Sequence, residues 1–385
     1  MTRLAQMLVV LGTSVASLRV RWGSSLTVVI SMACITAVML STLSISNGMM
    51  SGFLAAADPT RAIVLPANTL GDAGTGLPRN QIGTIFNAPG IAMDANGTLL
   101  ADAETILSLP PEQGMAQGYL RLRGLGPAGL ALRPELKIID GRWFQPGKAE
   151  VVVGVDVAHA YDLKVGGSVI MNNGRWPIVG LFSGPGIQAS ELLADADTLM
   201  TTLRRTGFGS VVVRLRNPEA FEAFNQWLAN NPSLRVAAET QQHYNRRWAS
   251  RQSDYFVAIA YLAGALMSIG ALFGGVNVLQ AIVAARRREI AMLRALGYEA
   301  LPVAGSVVLE ILLLSVSGAV AGGCLAWLLF DGREMVLFGT VYELSVSTSL
   351  FVLGVAWALA LALLGSVLPA IRAARVPLVE GLRAI

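Results

Sequence analysis

The residue types that carry catalysis and metal binding are sparse in this chain. Histidine occurs twice, at His159 and His243, and cysteine twice, at Cys34 and Cys324. Both cysteines lie within apolar runs, which argues against a disulfide framework and against a cysteine zinc site. Neither histidine has a second ligand at metal-binding spacing, so each reads as an ordinary surface or half-buried side chain. The nearest approach to a phosphate-cradling loop is GRWFQPGKA at 141–149. Its glycines stand one residue too far apart, and Ala149 takes the place of the Ser or Thr that would hold Mg²⁺. A turn between strands accounts for it better. No nucleophile–base pair emerges, so the sequence predicts neither ATP hydrolysis nor other catalysis on this chain.

One segment does carry a usable pattern. In RRREIAMLRALG, residues 286–297, Ile290, Leu293 and Leu296 recur at helical spacing while Arg287, Glu289 and Arg294 fall off that stripe. Gly297 is placed to end the helix. An amphipathic helix of this kind has two uses. It can lie in lipid headgroups with its arginines on anionic lipid, or dock its apolar stripe into a groove on a partner protein. The residues alone leave both open.

The elements that must hold this segment are apolar. Of 385 residues, 54% are hydrophobic and 14% charged, and mean hydropathy is +0.56; a soluble domain has about 25% charged residues. One water-soluble core cannot absorb that excess, and the chain reads as an integral membrane protein. A crossing helix takes about 20 apolar residues, and four segments qualify: 26–46, 255–285, 301–330 and 347–371. Only Glu310 places a charge inside a span. It lies near the cytoplasmic end of the third, within reach of water or Arg294, and reads as structural rather than as a proton relay. Gly270 with Gly274, and Gly318 with Gly322, have the four-residue spacing that lets helix backbones approach closely, between subunits or within one. No row of polar side chains in the last two spans suits an aqueous pore.

Basic residues orient the chain. Residues 1–25, 286–300 and 372–385 together hold ten basic and three acidic residues, residues 47–254 hold eighteen of each, and the loop 331–346 holds one basic and three acidic. By the positive-inside rule the first three segments are cytoplasmic and the last two outside. Arg246, Arg247 and Arg251 run against the rule, as a long translocated domain tolerates. The net charge of +4 is too small to point to nucleic acid. The 47–254 insertion, rich in Gly and Pro, reads as a globular α+β domain in two lobes. Strands are expected at 151–155, 168–171, 176–182 and 210–215, and a helix over 218–230 opened by Pro218. A polar helical stalk from about 240 leads into the second span. No aromatic or charged cluster in the insertion stands out as a binding site.

In this arrangement the chain resembles the MacB/FtsX/LolC-type permease family of ABC transporters. The likeness is carried by SLRVRWGSSLTVVISMACITAVMLSTLSISNG at 17–48, RRREIAMLRALG at 286–297, Glu310 with Gly318, Gly322 and Gly323, and PAIRAARVPLVEGLRAI at 369–385. EVVVGVDVAHAYDLKVGGSV at 150–169 and WPIVGLF at 176–182 resemble it more loosely. The expected fold is integral membrane α-helical: four transmembrane helices, both termini in the cytoplasm, and a large α+β extracytoplasmic domain inserted between helices 1 and 2.

The resemblance implies that Arg287, Glu289, Ile290, Met292, Leu293, Arg294, Leu296 and Gly297 contact a nucleotide-binding subunit. ATP and Mg²⁺ would then sit on a separate ABC ATPase partner, with no cofactor on this chain. It further implies a bacterial inner-membrane location with the large domain in the periplasm. A permease homodimer or heterodimer, and a periplasmic adaptor or outer-membrane partner, complete the implied assembly. The implied function is transmission of ATP-driven motion to the periplasmic domain, for export or substrate handling outside the membrane. Two alternatives stand beside it: FtsX-like switching of a periplasmic enzyme without transport, and a membrane-anchored binding protein without an ATPase.

Overall fold

The computed structural model describes residues 22–67, 69, 71–73, 76–109, 119–171, 174–285, 292, 300–337 and 339–374. In chain order its elements are α1 (Trp22–Ala55), β1 (Arg61–Pro66), β2 (Leu77–Pro78), α2 (Arg79–Phe86), β3 (Ala101–Leu109), β4 (Leu120–Leu125), β5 (Lys137–Gly141), β6 (Val151–Gly154), α3 (Val155–Ala160), β7 (Ser168–Met171), β8 (Gly174–Ser183), a 3₁₀ turn (Gly186–Ser190), β9 (Glu191–Asp195) and α4 (Ala196–Thr202). There follow β10 (Gly207–Phe208), β11 (Ser210–Arg214), α5 (Ala220–Ala229), β12 (Val236–Thr240), α6 (Gln241–Ala285), α7 (Ala300–Phe330), β13 (Glu334–Leu337), β14 (Thr340–Glu343) and α8 (Thr348–Ala374). The chain divides into two compact units. One comprises Met1–Asn47, Asp254–Arg333 and Leu344–Ile385, the other Gly48–Ser253 and Glu334–Glu343.

The first unit is helical. Among the described residues, α1, α6, α7 and α8 are each long and apolar enough to cross a membrane. Met32 and Ile35 of α1 pack with Ala319 of α7 and with Ala358 and Leu361 of α8. Met39 and Leu43 of α1 meet Ala260 of α6. The outward faces are apolar as well: Leu262, Leu266 and Phe273 on α6, Trp327 and Leu328 on α7, and Leu364 on α8 are all exposed. A helix that is hydrophobic all round needs an apolar solvent, and a bilayer supplies one.

The second unit is built on a mixed sheet of ten strands in the order β12-β1-β11-β3-β4-β9-β6-β8-β5, with β7 paired to β8. Two helix-covered cores lie along it. Val64, Ala103, Val211 and Val213 pack with Ile85 of α2 and Phe224 of α5. Leu122, Val153, Trp176, Ile178 and Leu192 pack with Val157 of α3 and Leu199 of α4. The two expected lobes are therefore two cores on one sheet. The strand expected over 151–155 stops at Gly154, because Val155 already opens α3. The helix expected over 218–230 covers Ala220–Ala229. The polar segment expected as a stalk lies at the start of α6, which runs 45 residues from Gln241 to Ala285.

The short loop expected over 331–346 holds a hairpin, β13 paired antiparallel with β14. That hairpin belongs to the α+β unit. Buried Ser190 clamps it: its Oγ accepts from Val341 N at 3.1 Å and donates to Val341 O at 3.2 Å.

Candidate functional site

Strand alternation builds a charged strip on the sheet face opposite the two helix-covered cores. Successive side chains in a strand point to opposite faces. In β3, Ala101 and Ala103 enter one core, which turns Asp102 and Glu104 to the other face. In β4, Leu120 and Leu122 enter the second core, which turns Arg121 and Arg123 the same way. The parallel register sets Arg121 beside Glu191 of β9.

The contacts that result are short and reciprocal. Arg123 lays its guanidinium along Glu191, with Nε donating to Oε2 at 2.6 Å and Nη2 to Oε1 at 2.7 Å. Its Nη1 donates to Glu104 Oε2 at 2.8 Å. Arg133, from the loop after β4, holds Glu104 from the other side, at 2.7 Å to Oε1 and 2.9 Å to Oε2. Arg121 stands 2.8 Å from Glu191 and 3.2 Å from Asp72. Three carboxylates thus alternate with three guanidiniums from Asp72 to Arg133.

Burial by itself would lift the glutamate pKa values, but the arginines beside them reverse it. Arg123 chiefly, with Arg121, holds Glu191 down at about 2, and Arg133 with Arg123 keeps Glu104 below its ordinary value. Asp102 goes the other way. Burial first, then the charge of Glu104, pushes it up to about 8, even though Gly126 N donates to its Oδ2 at 2.8 Å. At neutral pH the strip is charge-balanced and Asp102 is a neutral acid.

Beside the strip is a cavity of 230 Å³, lined among others by Arg121, Glu191, Gln188, Tyr244, Trp248 and Tyr342. Two ring pairs line its apolar parts. Tyr244 and Trp248 meet edge-on with centroids 6.3 Å apart, and Phe53 and Tyr342 stand at 6.4 Å. No aromatic or charged cluster stood out in the sequence of the α+β domain as a binding site; the folded chain brings residues of both kinds together here. They come from the end of α1, the loops that carry Asp72 and Arg133, β3, β4, β9, β14 and the first turns of α6, and no local window contains them.

The helical unit separates the two glycine pairs. A Cβ at Gly318 would stand 2.5 Å from the Val29 carbonyl oxygen, and one at Gly322 would fall still closer to that of Ala33. This pair lets α7 lie against α1 within one chain. A Cβ at Gly270 or Gly274 would meet nothing within 4 Å. These two border an apolar groove of 430 Å³ with Ser31 and Cys34 of α1. Glu310 is buried in the helical unit. Of the residues expected to contact a nucleotide-binding subunit, Met292 is helical and exposed. Arg287, Glu289, Ile290, Leu293, Arg294, Leu296 and Gly297 lie outside the described residues.

Comparison with known families decides the identity of this frame. The MacB-like periplasmic core domain matches residues 23–231, over half of the chain. The FtsX-like permease C-terminal domain matches residues 261–378. The chain belongs to the MacB/FtsX-type permease family. It is a membrane permease component of the ABC-transporter type, with an extracytoplasmic α+β domain. The periplasmic region of MacB from Actinobacillus actinomycetemcomitans is 15% identical over 49% of this chain and 92% of its own, with a TM-score of 0.37. The extracellular domain of the noncanonic ABC-type transporter YknZ from Gram-positive bacteria is 14% identical over 46% of this chain and 98% of its own, with a TM-score of 0.36. No curated protein matches the chain significantly.

In this MacB/FtsX-type permease the charged strip left a readable trace that patterning alone could have found. LRLR at 120–123 and ADAE at 101–104 are both period-2 runs with charges on one face. What neither run contains is its partner, since Glu191 and Arg133 arrive from elsewhere in the chain.

Proposed function

We propose that this permease transmits ATP-driven motion from a separate ATPase subunit to its α+β domain, which handles a substrate outside the membrane. ATP and Mg²⁺ bind on that partner. The permease sits in the bacterial inner membrane with both termini in the cytoplasm and the α+β domain in the periplasm, and works as a dimer with a second permease chain. The observation that carries this reading is the pairing of two family matches on one chain, one over the α+β domain and one over the last three apolar helices. The charge distribution supports the orientation, with the basic surplus in 1–25, 286–300 and 372–385. The length of α6 supports transmission, because 45 residues of uninterrupted helix extend about 68 Å, against a bilayer core of about 30 Å.

The test is Leu293→Asp, which places a charge on the apolar stripe of 286–297. It is expected to abolish co-purification with the ATPase or the stimulation of its turnover; unchanged coupling sinks the docking assignment. Membrane-impermeant thiol labelling of cysteines introduced at Asp94 and Arg383 separates the two sides of the bilayer. The reading requires labelling of intact cells at 94 alone.

A further inference from the structure

Arg246, Arg247 and Arg251 stand at the extracytoplasmic end of α6, against the rule that orients the rest of the chain, and transmission does not require them. We propose that the uncovered face of α6 binds an anionic phospholipid of the outer leaflet, with its phosphate on Arg251 and Tyr255 and an acyl chain along the apolar stripe that follows. The inference goes beyond the transmission role and does not depend on an ATPase.

Helical spacing puts the parts on one face. At 3.6 residues per turn, Arg251, Tyr255, Ile259, Leu262 and Leu266 of α6 fall within a sector of about 80°. Tyr255 is 71% exposed, and Arg251, Ile259, Leu262 and Leu266 are exposed with it, so the described residues of the chain leave this stripe uncovered.

The three arginines differ in what holds them. Arg247 is tied to Glu239, its Nε donating to Oε2 at 3.2 Å. Among the described residues, Arg246 and Arg251 form no ion pair, and the Tyr255 hydroxyl has no hydrogen-bond partner. Asp254 is the only acid from 246 to 285; it lies about 60° round the helix from Arg251 and forms no ion pair with it. Arg246 lies on another face, about 140° away. Residues four apart on a helix are neighbours, so Arg251 and Tyr255 can converge on one group. Arginine brings a planar fork of N–H donors and tyrosine one O–H, and a phosphate supplies the charge and the acceptor oxygens that match them. A zwitterionic lipid carries its own cation beside the phosphate, whereas an anionic one leaves that charge to Arg251.

Depth agrees with a single leaflet. Arg251 stands about 6 Å before Tyr255 along the axis, and one headgroup layer is about 5–7 Å thick. Tyrosine is a residue of the membrane–water interface. Leu266 stands about 16 Å beyond Tyr255, against about 15 Å for half of the hydrocarbon core.

The experiment uses the full chain in nanodiscs of equimolar phosphatidylglycerol and phosphatidylcholine, with p-benzoylphenylalanine in place of exposed Ala258. The lipid captured on irradiation is identified by mass spectrometry. Position 258 lies about 40 Å along α6 from its far end, so the arginines of 286–300 do not contribute. Capture of phosphatidylglycerol over phosphatidylcholine by about fivefold is expected, the worth of one basic side chain at an anionic surface. Arg251→Gln should bring the ratio close to one, Arg251→Lys should keep most of it, and Arg246→Gln should leave it unchanged. Equal capture of the two lipids by the parent overturns the proposal, as does a preference that Arg251→Gln leaves intact. Cross-linking to a second copy of the chain in place of lipid overturns it too. Should Arg251→Gln fail to fold, the parent's ratio and Arg251→Lys still decide.

Discussion

Where α7 meets α1, Gly318 and Gly322 leave the room that the carbonyls of Val29 and Ala33 occupy. Where β4 meets β3 and β9, Arg123 fills the space instead and is held by Glu104 and Glu191 at 2.6–2.8 Å. One unit brings its elements together by leaving side chains out, the other by opposing charges. The solvent of each explains the choice. In a bilayer no hydrophobic force pulls helices together, and van der Waals contact between closely approaching backbones carries association. In a water-soluble domain the apolar cores supply the driving force. A buried ionic strip there costs several kcal/mol per ion to desolvate, which its pairing must offset. It adds orientation rather than net stability.

That contrast can be broken most sharply at Arg123. Arg123→Met leaves two buried carboxylates short of a partner and is expected to destabilise the α+β unit by about 3–5 kcal/mol. Thermal unfolding of the full chain in detergent reads the loss. Adding Glu191→Met to the same chain should recover part of it, because Arg121 then keeps Asp72 and Arg133 keeps Glu104. No recovery would mean that the strip is more than a matched set.

The next effect is a dependence on pH with two opposite signs. Asp102, raised from 3.8 to about 8, contributes stability that is complete below about pH 4 and lost as pH rises through about 8. Glu191, lowered from 4.5 to about 2, contributes stability that is complete above about pH 4.5 and lost as pH falls through about 2. Asp102→Asn should therefore flatten the decline in unfolding temperature between about pH 4 and pH 8 and leave the acid-side decline in place. A variant with the parent's slope on the alkaline side contradicts the assignment.

Within the membrane unit the two glycine pairs should part company. Gly322→Ala forces α7 away from α1 and is expected to cost about 1–3 kcal/mol. Gly270→Ala meets open space and should be neutral, or stabilising by up to about 1 kcal/mol through helix propensity. Gly270→Leu tests the open face as a dimer contact: self-association measured by cross-linking should fall while the unfolding temperature holds. Equal losses from Gly322→Ala and Gly270→Ala would erase the distinction.

The smallest effect concerns a hydrogen bond between helices. Trp357 Nε1 donates to Ser268 Oγ at 3.1 Å, and Ser268→Ala is expected to cost about 0.6 kcal/mol, the usual size of such a bond in a membrane protein. A loss comparable to that at Arg123 would show that polar contacts carry the helical unit after all.

The four apolar helices were legible because a run of about 20 apolar residues is a local, one-dimensional signal. β7 at Ser168–Met171 and β11 at Ser210–Arg214 follow β-rich apolar runs of the same local kind. Gly318 and Gly322 were legible as a close-packing pair but indistinguishable by spacing from Gly270 and Gly274, since both show four-residue separation. Only the packed helices tell which pair faces a neighbour in the same chain.

Composition, span length and the placement of arginines by themselves determined that this is a membrane protein with four apolar helices and a polar insertion, and the motifs pointed to its permease family. Those are properties of contiguous stretches, summed over residues near one another in the chain. Tertiary structure alone decided that Asp72, Glu104, Arg121, Arg123, Arg133 and Glu191 form one strip, and that Gln188, Gln241 and Trp248 border one cavity. It decided too that residues 334–343 join the α+β unit. The physical reason is register: strand pairing brings together residues as far apart in the chain as Ala62 and Thr240, and no local pattern encodes which strand lies beside which.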